Sequence, residues 1–171
     1  MRLIKIIQFL ILLTSISLLS QERKIVWEEN FNGDNLELQS WNFEIGDGCP
    51  ELCGWGNNER QVYTKINHRL SNGRLYIEAK KIGKEYSSSK ITTKGKQEFQ
   101  YGKIEVRAKL PIGKGLWPAF WMLGSNIDTV GWPGCGEIDI LEYVGKEPEY
   151  IFTSLHTPES YGSTINTKKE V

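Results

Sequence analysis

The stretch Gly134-Cys135-Gly136-Glu137-Ile138-Asp139-Ile140-Leu141-Glu142-Tyr143-Val144-Gly145 constrains the fold more than any other, because it sets three carboxylates into six positions of an apolar run. A carboxylate that leaves water is costly unless paired or hydrogen-bonded, so such a run is either an exposed edge or a site. An α-helix does not explain it: residues five apart lie about 140° around the axis, and Glu137 and Glu142 would not face one another. A β-strand explains it with one correction. Strict alternation puts Glu137 and Asp139 on one face and Glu142 on the other, and one extra residue near Ile140-Leu141, a β-bulge, restores the parity.

The rest of the chain agrees with an all-β reading. From Lys24 onward, short runs of β-branched and aromatic residues are punctuated by Gly, Pro and Asn, and no helical stripe of useful length occurs. Strands are predicted over Lys24 to Glu29, Trp41 to Ile45, Arg60 to Thr64, Arg74 to Ala79, Gly102 to Lys109, Trp117 to Leu123, Glu137 to Val144 and Tyr150 to His156. Asn72-Gly73 predicts a tight hairpin turn, since both residues tolerate positive φ. In Gly102 to Lys109, Ile104, Val106 and Ala108 alternate with Lys103, Glu105, Arg107 and Lys109, which predicts one buried and one solvated face. Many strands with long polar loops predict two stacked sheets, a β-sandwich of the jelly-roll kind, in one domain.

With the bulge, Glu137 and Glu142 lie about four strand steps apart, roughly 13 Å between Cα atoms. Two Glu side chains leaning together can close that to the roughly 5 Å of a retaining glycosidase, against ~6.5–9.5 Å for an inverting pair that admits a water. One carboxylate can attack an anomeric carbon while the other protonates the leaving oxygen and later deprotonates water. Asp139 between them can hydrogen-bond the nucleophile and separate the two pKa values.

The run Glu137-Ile138-Asp139-Ile140-Leu141-Glu142 resembles the bulged active-site motif of glycoside hydrolase family 16, in particular its laminarinase-like endo-β-1,3-glucanases. The resemblance covers nearly all of Ile25 to Val171, including WEENFNG at 27–33, GWGNNERQVYT at 54–64, YGKIEVRAK at 101–109, GLWPAFWML at 115–123 and GWPGCGEIDILEYVG at 131–145. It implies a retaining hydrolase with Glu137 as nucleophile, Asp139 as its assistant and Glu142 as acid/base. It also implies substrate contacts from Asn58, Glu59, Arg107, Trp117, Trp121, Trp132 and His156. Trp121 reads equally as a core aromatic on Phe120-Trp121-Met122-Leu123, and Arg107 equally as a charge in a solvated row. No metal ligand or cofactor is expected for catalysis. Asn30 stands where many family members carry an acidic calcium ligand, which weakens a structural calcium site. The family's domain is usually longer than this chain, which ends at Val171 soon after the strand bearing His156, so the C-terminal strands of the jelly roll are expected to be missing. A non-catalytic carbohydrate-binding jelly roll is the rival class, and agarose, carrageenan or mixed-linkage glucan are the rival substrates.

Residues 1–20 read as a signal peptide: Arg2 and Lys5 precede an apolar run from Ile6 to Leu13, followed by a Ser- and Thr-containing stretch too short and too diluted for a membrane span. The hydrolase domain then occupies 21–171 in a secreted or periplasmic protein. Export makes a disulfide feasible among Cys49, Cys53 and Cys135; closing Cys49 with Cys53 would leave Cys135 odd. Twenty-one basic against twenty-one acidic residues give no net charge, so nothing gathers nucleic acid or an anionic membrane. The expected partner is a neutral polysaccharide and the expected state a monomer. Aromatics make up 11% of the chain, and their flat faces suit sugar rings as well as cores.

Overall fold

The computed structural model describes residues 23–160 and 165–170, so the predicted signal segment lies outside the described residues. Strand follows strand: β1 Asn42–Glu44, β2 Gln61–Tyr63, β3 His68–Leu70, β4 Leu75–Ile77, β5 Lys80–Ile82, β6 Glu85–Ser88, β7 Lys90–Thr92, β8 Ala119–Leu123, β9 Glu137–Glu142, β10 Tyr150–His156 and β11 Ile165–Glu170. Among the described residues one short α-helix, α1 Ile127–Val130, and two 3-10 turns, Cys53–Gly56 and Pro158–Ser160, interrupt them. The largest sheet is antiparallel in the order β11-β10-β9-β8, and it carries the acidic run on an inner strand. Three small sheets, β1-β7, β2-β6-β5 and β3-β4, hold the N-terminal part.

The local chemistry explains the sharpest turns. Asn72 and Gly73 both take positive φ, 52° and 64°, and the Ser71 amide donates to the Arg74 carbonyl at 3.0 Å, so the predicted hairpin joins β3 to β4. A disulfide joins Cys49 to Cys53 and leaves Cys135 as a free thiol. Just beyond that closed loop, Trp55 and Asn58 sit at φ 52° and 57°. For a residue as bulky as Trp55 this left-handed backbone is strained, and strain of this kind gathers at functional loops.

Two predicted strands do not form. Lys24 to Glu29 has no ladder partner among the described residues; it is held instead by side chains, with Trp27 packing 5.9 Å from the rings of Trp41 and Phe99. Gly102 to Lys109 is also strandless, and Ile104 and Val106 are 39% and 41% exposed rather than buried. A backbone run becomes a strand only when its amides and carbonyls find a neighbour, and no strand among the described residues pairs with this one. Strands β3, β5, β6, β7 and β11 were not predicted. Their three to six residues include Lys80-Lys81 and Lys168-Lys169, whose charge masks any apolar alternation.

The buried apolar residues among those described are Leu36, Trp41 and Tyr143. Trp41 is fixed by its Nε1 donating to Glu29 Oε2 at 3.2 Å and by Lys96, whose Nζ reaches the Trp41 carbonyl at 2.6 Å.

Candidate active site

The bulge occurs where parity requires it. Against β8, Phe120 pairs with Leu141 while Trp121 pairs with Asp139, so Ile140 is the extra residue. Against β10, Phe152 pairs with Glu142 and Ser154 with Asp139, a shift in the same place. Both neighbours therefore register one additional residue in β9, and Glu137, Asp139 and Glu142 come onto one face.

Each acid then has its own partners. Trp132 Nε1 donates to Glu137 Oε2 at 2.6 Å. Glu142 receives Trp117 Nε1 on Oε1 at 3.0 Å and Ser154 Oγ on Oε2 at 3.2 Å. Asp139 is buried, 5% exposed, with its Oδ2 at 3.0 Å from His156 Nε2. Burial first, then the charges of Glu137 and Glu142 and a hydrogen bond shared with Glu137, push the Asp139 carboxyl up to about 7; the bond to His156 pulls the other way. A neutral Asp139 donates to Glu137 and removes one negative charge from between the other two acids. Three anions so close would repel strongly in this partly dry setting, and one shared proton relieves that.

The predicted site residues differ in their contacts. Trp117, Trp132 and His156 touch the acids, and the rings of Trp132 and His156 also lie 5.8 Å apart. Trp121 is the cross-strand partner of Asp139, so it shares the carboxylate face, and it is 36% exposed. Alternation along β8 sends Phe120 and Met122, not Trp121, to the opposite face. Glu59 accepts from Gln61 Nε2 and, at 2.9 Å, from Tyr63 OH, while Asn58 is exposed on its left-handed backbone. Arg107 lies exposed in the strandless 102–109 segment, and no hydrogen bond or ion pair among the described residues joins it to the acids.

Several residues at or near the site escape a reading by residue type. Ser154 precedes His156 by two on β10, and alternation alone places it on the same face. Trp55, Tyr63, Glu44 and Lys90 form a cluster reaching toward Trp121, and they come from separate strands and a loop. Nothing local in the sequence joins them.

As for cations, Glu137, Asp139 and His156 offer ligand atoms within 4.8 Å of one another, but these are the groups that hold the shared proton. At the turn carrying Asn30, Glu29 accepts the Phe31 amide at 2.7 Å and the Trp41 indole N–H, and Asn30 brings no charge. That donor set is poor for a hard cation, which favours several charged oxygens.

A bulged inner strand thus carries three acids on one face of an antiparallel sheet, two of them bonded by indole N–H donors. The chain belongs to the glycosyl hydrolases family 16, whose pattern it matches over residues 55–170. It is 44% identical over 156 residues to a glucan endo-1,3-beta-glucosidase of Cryptopygus antarcticus, covering 85% of this chain and 53% of that protein. It is 38% identical over 156 residues to a beta-glucanase of Rhodothermus marinus, covering 85% and 52%. Among solved structures, the laminarinase from Flavobacterium sp. UMI-01 superimposes with a TM-score of 0.84 at 68% identity, covering 86% of this chain and 64% of that one. The fold is thus the jelly-roll sandwich of these laminarinases, and the chain spans about half the length of the curated relatives it matches.

Proposed function

We propose that the protein is a retaining endo-glycosidase that hydrolyses β-1,3-linked glucan by double displacement, with the chemistry on the bulged face of β9. The observation that carries this reading is the coincidence of the bulge with the acids: the extra residue Ile140 turns Glu142 to the side of Glu137 and Asp139. Glu137 attacks the anomeric carbon and forms a glycosyl ester, while Glu142 gives its proton to the departing glycosidic oxygen. Glu142, now ionised, takes a proton from water; that water attacks the same carbon and releases Glu137.

The neighbours support these roles. Trp132 Nε1 and the Asp139 hydroxyl both donate to Glu137, which orients it and stabilises it as the leaving group of the second step. Ser154 and Trp117 hold Glu142 against the opposite side of the scissile bond. His156 fixes the buried Asp139. The exposed indole of Trp121 and that of Trp132, 48% exposed, offer flat faces beside the acids for pyranose rings. The substrate is assigned from the relatives named for β-1,3-glucan and laminarin, and a neutral glucan suits a chain without net charge. The reading includes export through the signal peptide, action as a monomer outside the cytoplasm, and no cofactor.

The test is reducing-sugar release from laminarin by the mature chain from Gln21, beside Glu137→Ser and Glu142→Gln, with lichenan, agarose and carrageenan in parallel and circular dichroism as the check on folding. Cleavage of laminarin that falls on the order of 10²–10⁴-fold in folded Glu142→Gln, and at least as far in Glu137→Ser, supports the assignment. A folded chain that binds laminarin without cutting it would instead be a binding jelly roll.

A further inference from the structure

Lys90 takes no part in the reaction above, yet it stands between the small N-terminal sheets and the catalytic one. It lies on β7 directly across from Glu44 of β1, and its Nζ is 2.6 Å from Glu44 Oε2. The same Nζ is 4.3 Å from the centre of the Trp55 ring and 5.1 Å from that of Trp121. Trp55 in turn packs 5.5 Å from Tyr63, whose hydroxyl donates to Glu59, and Trp121 is the cross-strand neighbour of Asp139. One ammonium group therefore links the Trp55 to Glu59 loop with the strand beside the catalytic acids.

Two features show that the indoles depend on this link. Among the described residues β8 is an edge strand of its sheet, so no strand described there lies on the outer side of Trp121. Trp55 Nε1 is buried without a hydrogen-bond partner among the described residues, so ring contacts rather than a hydrogen bond fix that indole. An ammonium that is itself only 21% exposed is attracted to the negative ring faces more strongly than one in water would be.

We propose that Lys90, paired with Glu44, is a positioning residue that sets Trp55 and Trp121 as one continuous sugar-binding wall leading to Asp139. It tunes affinity for the glucan and not the bond chemistry. This inference rests on the β-1,3-glucanase reading for its substrate, and has a structural readout that does not.

The experiment compares wild type with Lys90→Met, Lys90→Arg and the double variant Glu44→Gln/Lys90→Met, measuring kcat and KM on laminarin and the near-ultraviolet circular dichroism of the indoles. Lys90→Met keeps the apolar stem and removes the charge; the double variant removes the stranded carboxylate as well, so it reports if the single variant fails to fold. The expected result is a rise in KM of about tenfold with kcat within about twofold, an altered indole spectrum in both Met variants, and near wild-type behaviour in Lys90→Arg. An unchanged KM in a folded Met variant, or a kcat that falls in step, would overturn the proposal. A wild type inert on laminarin would refute the substrate reading instead; the indole spectra then decide, and spectra identical across all variants would overturn the positioning role.

Discussion

Residues 102–109 and 137–144 carry nearly the same sequence message, alternating apolar and charged side chains after a glycine, and only one of them is a strand. Glu137–Glu142 lies between β8 and β10 and has a ladder on each side, with a bulge that both ladders register. Gly102 to Lys109 has no ladder among the described residues, and its apolar positions Ile104 and Val106 stay substantially exposed. Alternation specifies which faces a strand would have; a partner decides whether the strand exists. The acids of β9 keep their geometry because the main chain beneath them is fixed twice over, whereas Arg107, in the unpaired segment, has no hydrogen bond or ion pair to them among the described residues.

The comparison can be broken most forcefully with proline. Ile138→Pro should lower stability by several kcal/mol, since it removes an inner-strand amide and leaves a carbonyl unsatisfied, whereas Val106→Pro should change it by less than about 0.5 kcal/mol. Thermal unfolding measures both, and equal losses would mean that 102–109 pairs in solution.

Asp139 sharpens the contrast, because its proton depends on burial on a paired inner strand and on the charges of Glu137 and Glu142. A carboxyl raised from 3.8 to about 7 binds its proton more tightly in the folded chain than in the unfolded one. Its stabilisation is therefore complete below about pH 4 and is lost as pH rises through about 7. Activity should fall on the alkaline side with an apparent value near 7, as the donor to Glu137 ionises. Asp139→Asn keeps a donor and cannot ionise; it should stay within roughly tenfold of wild type at pH 6 and lack the limb near 7. An alkaline limb unmoved by the substitution would assign it to another group.

A smaller effect is expected from Trp132→Phe, which keeps the ring face and deletes the N–H on Glu137. Loss of one hydrogen bond to a charged acceptor corresponds to about 10- to 100-fold in kcat/KM. Ser154→Ala, next to Glu142, should lose about tenfold or less. Steady-state kinetics measure both, and if Ser154→Ala proves the more damaging, Glu142 is held more tightly than Glu137.

Against this background, the sequence makes the catalytic strand legible and the rest of the fold only partly so. Three acids in an apolar run, together with the adjacent Ile140-Leu141 pair, suffice to place the bulge, and Asn72-Gly73 suffices for a hairpin. Trp117, Trp132 and His156 are legible through motif resemblance and do reach the acids. Short charged strands such as Lys80–Ile82 are silent, because two-thirds of their residues carry no apolar signal. The Glu44, Trp55, Lys90 and Trp121 cluster is silent for another reason: its members come from β1, a loop, β7 and β8, so only tertiary packing brings them together. The proposed chemistry sits on one continuous stretch, while the proposed binding wall is assembled from distant ones.

The most direct test of the central claim is to trap the glycosyl ester. A β-1,3-glucoside activated at its anomeric carbon and carrying fluorine at C2 forms the ester faster than water releases it, and peptide mass spectrometry then locates the sugar. The account predicts a single label on Glu137, absent in Glu137→Ser; a label on Asp139 or Glu142, or none on a chain that cleaves laminarin, would contradict it.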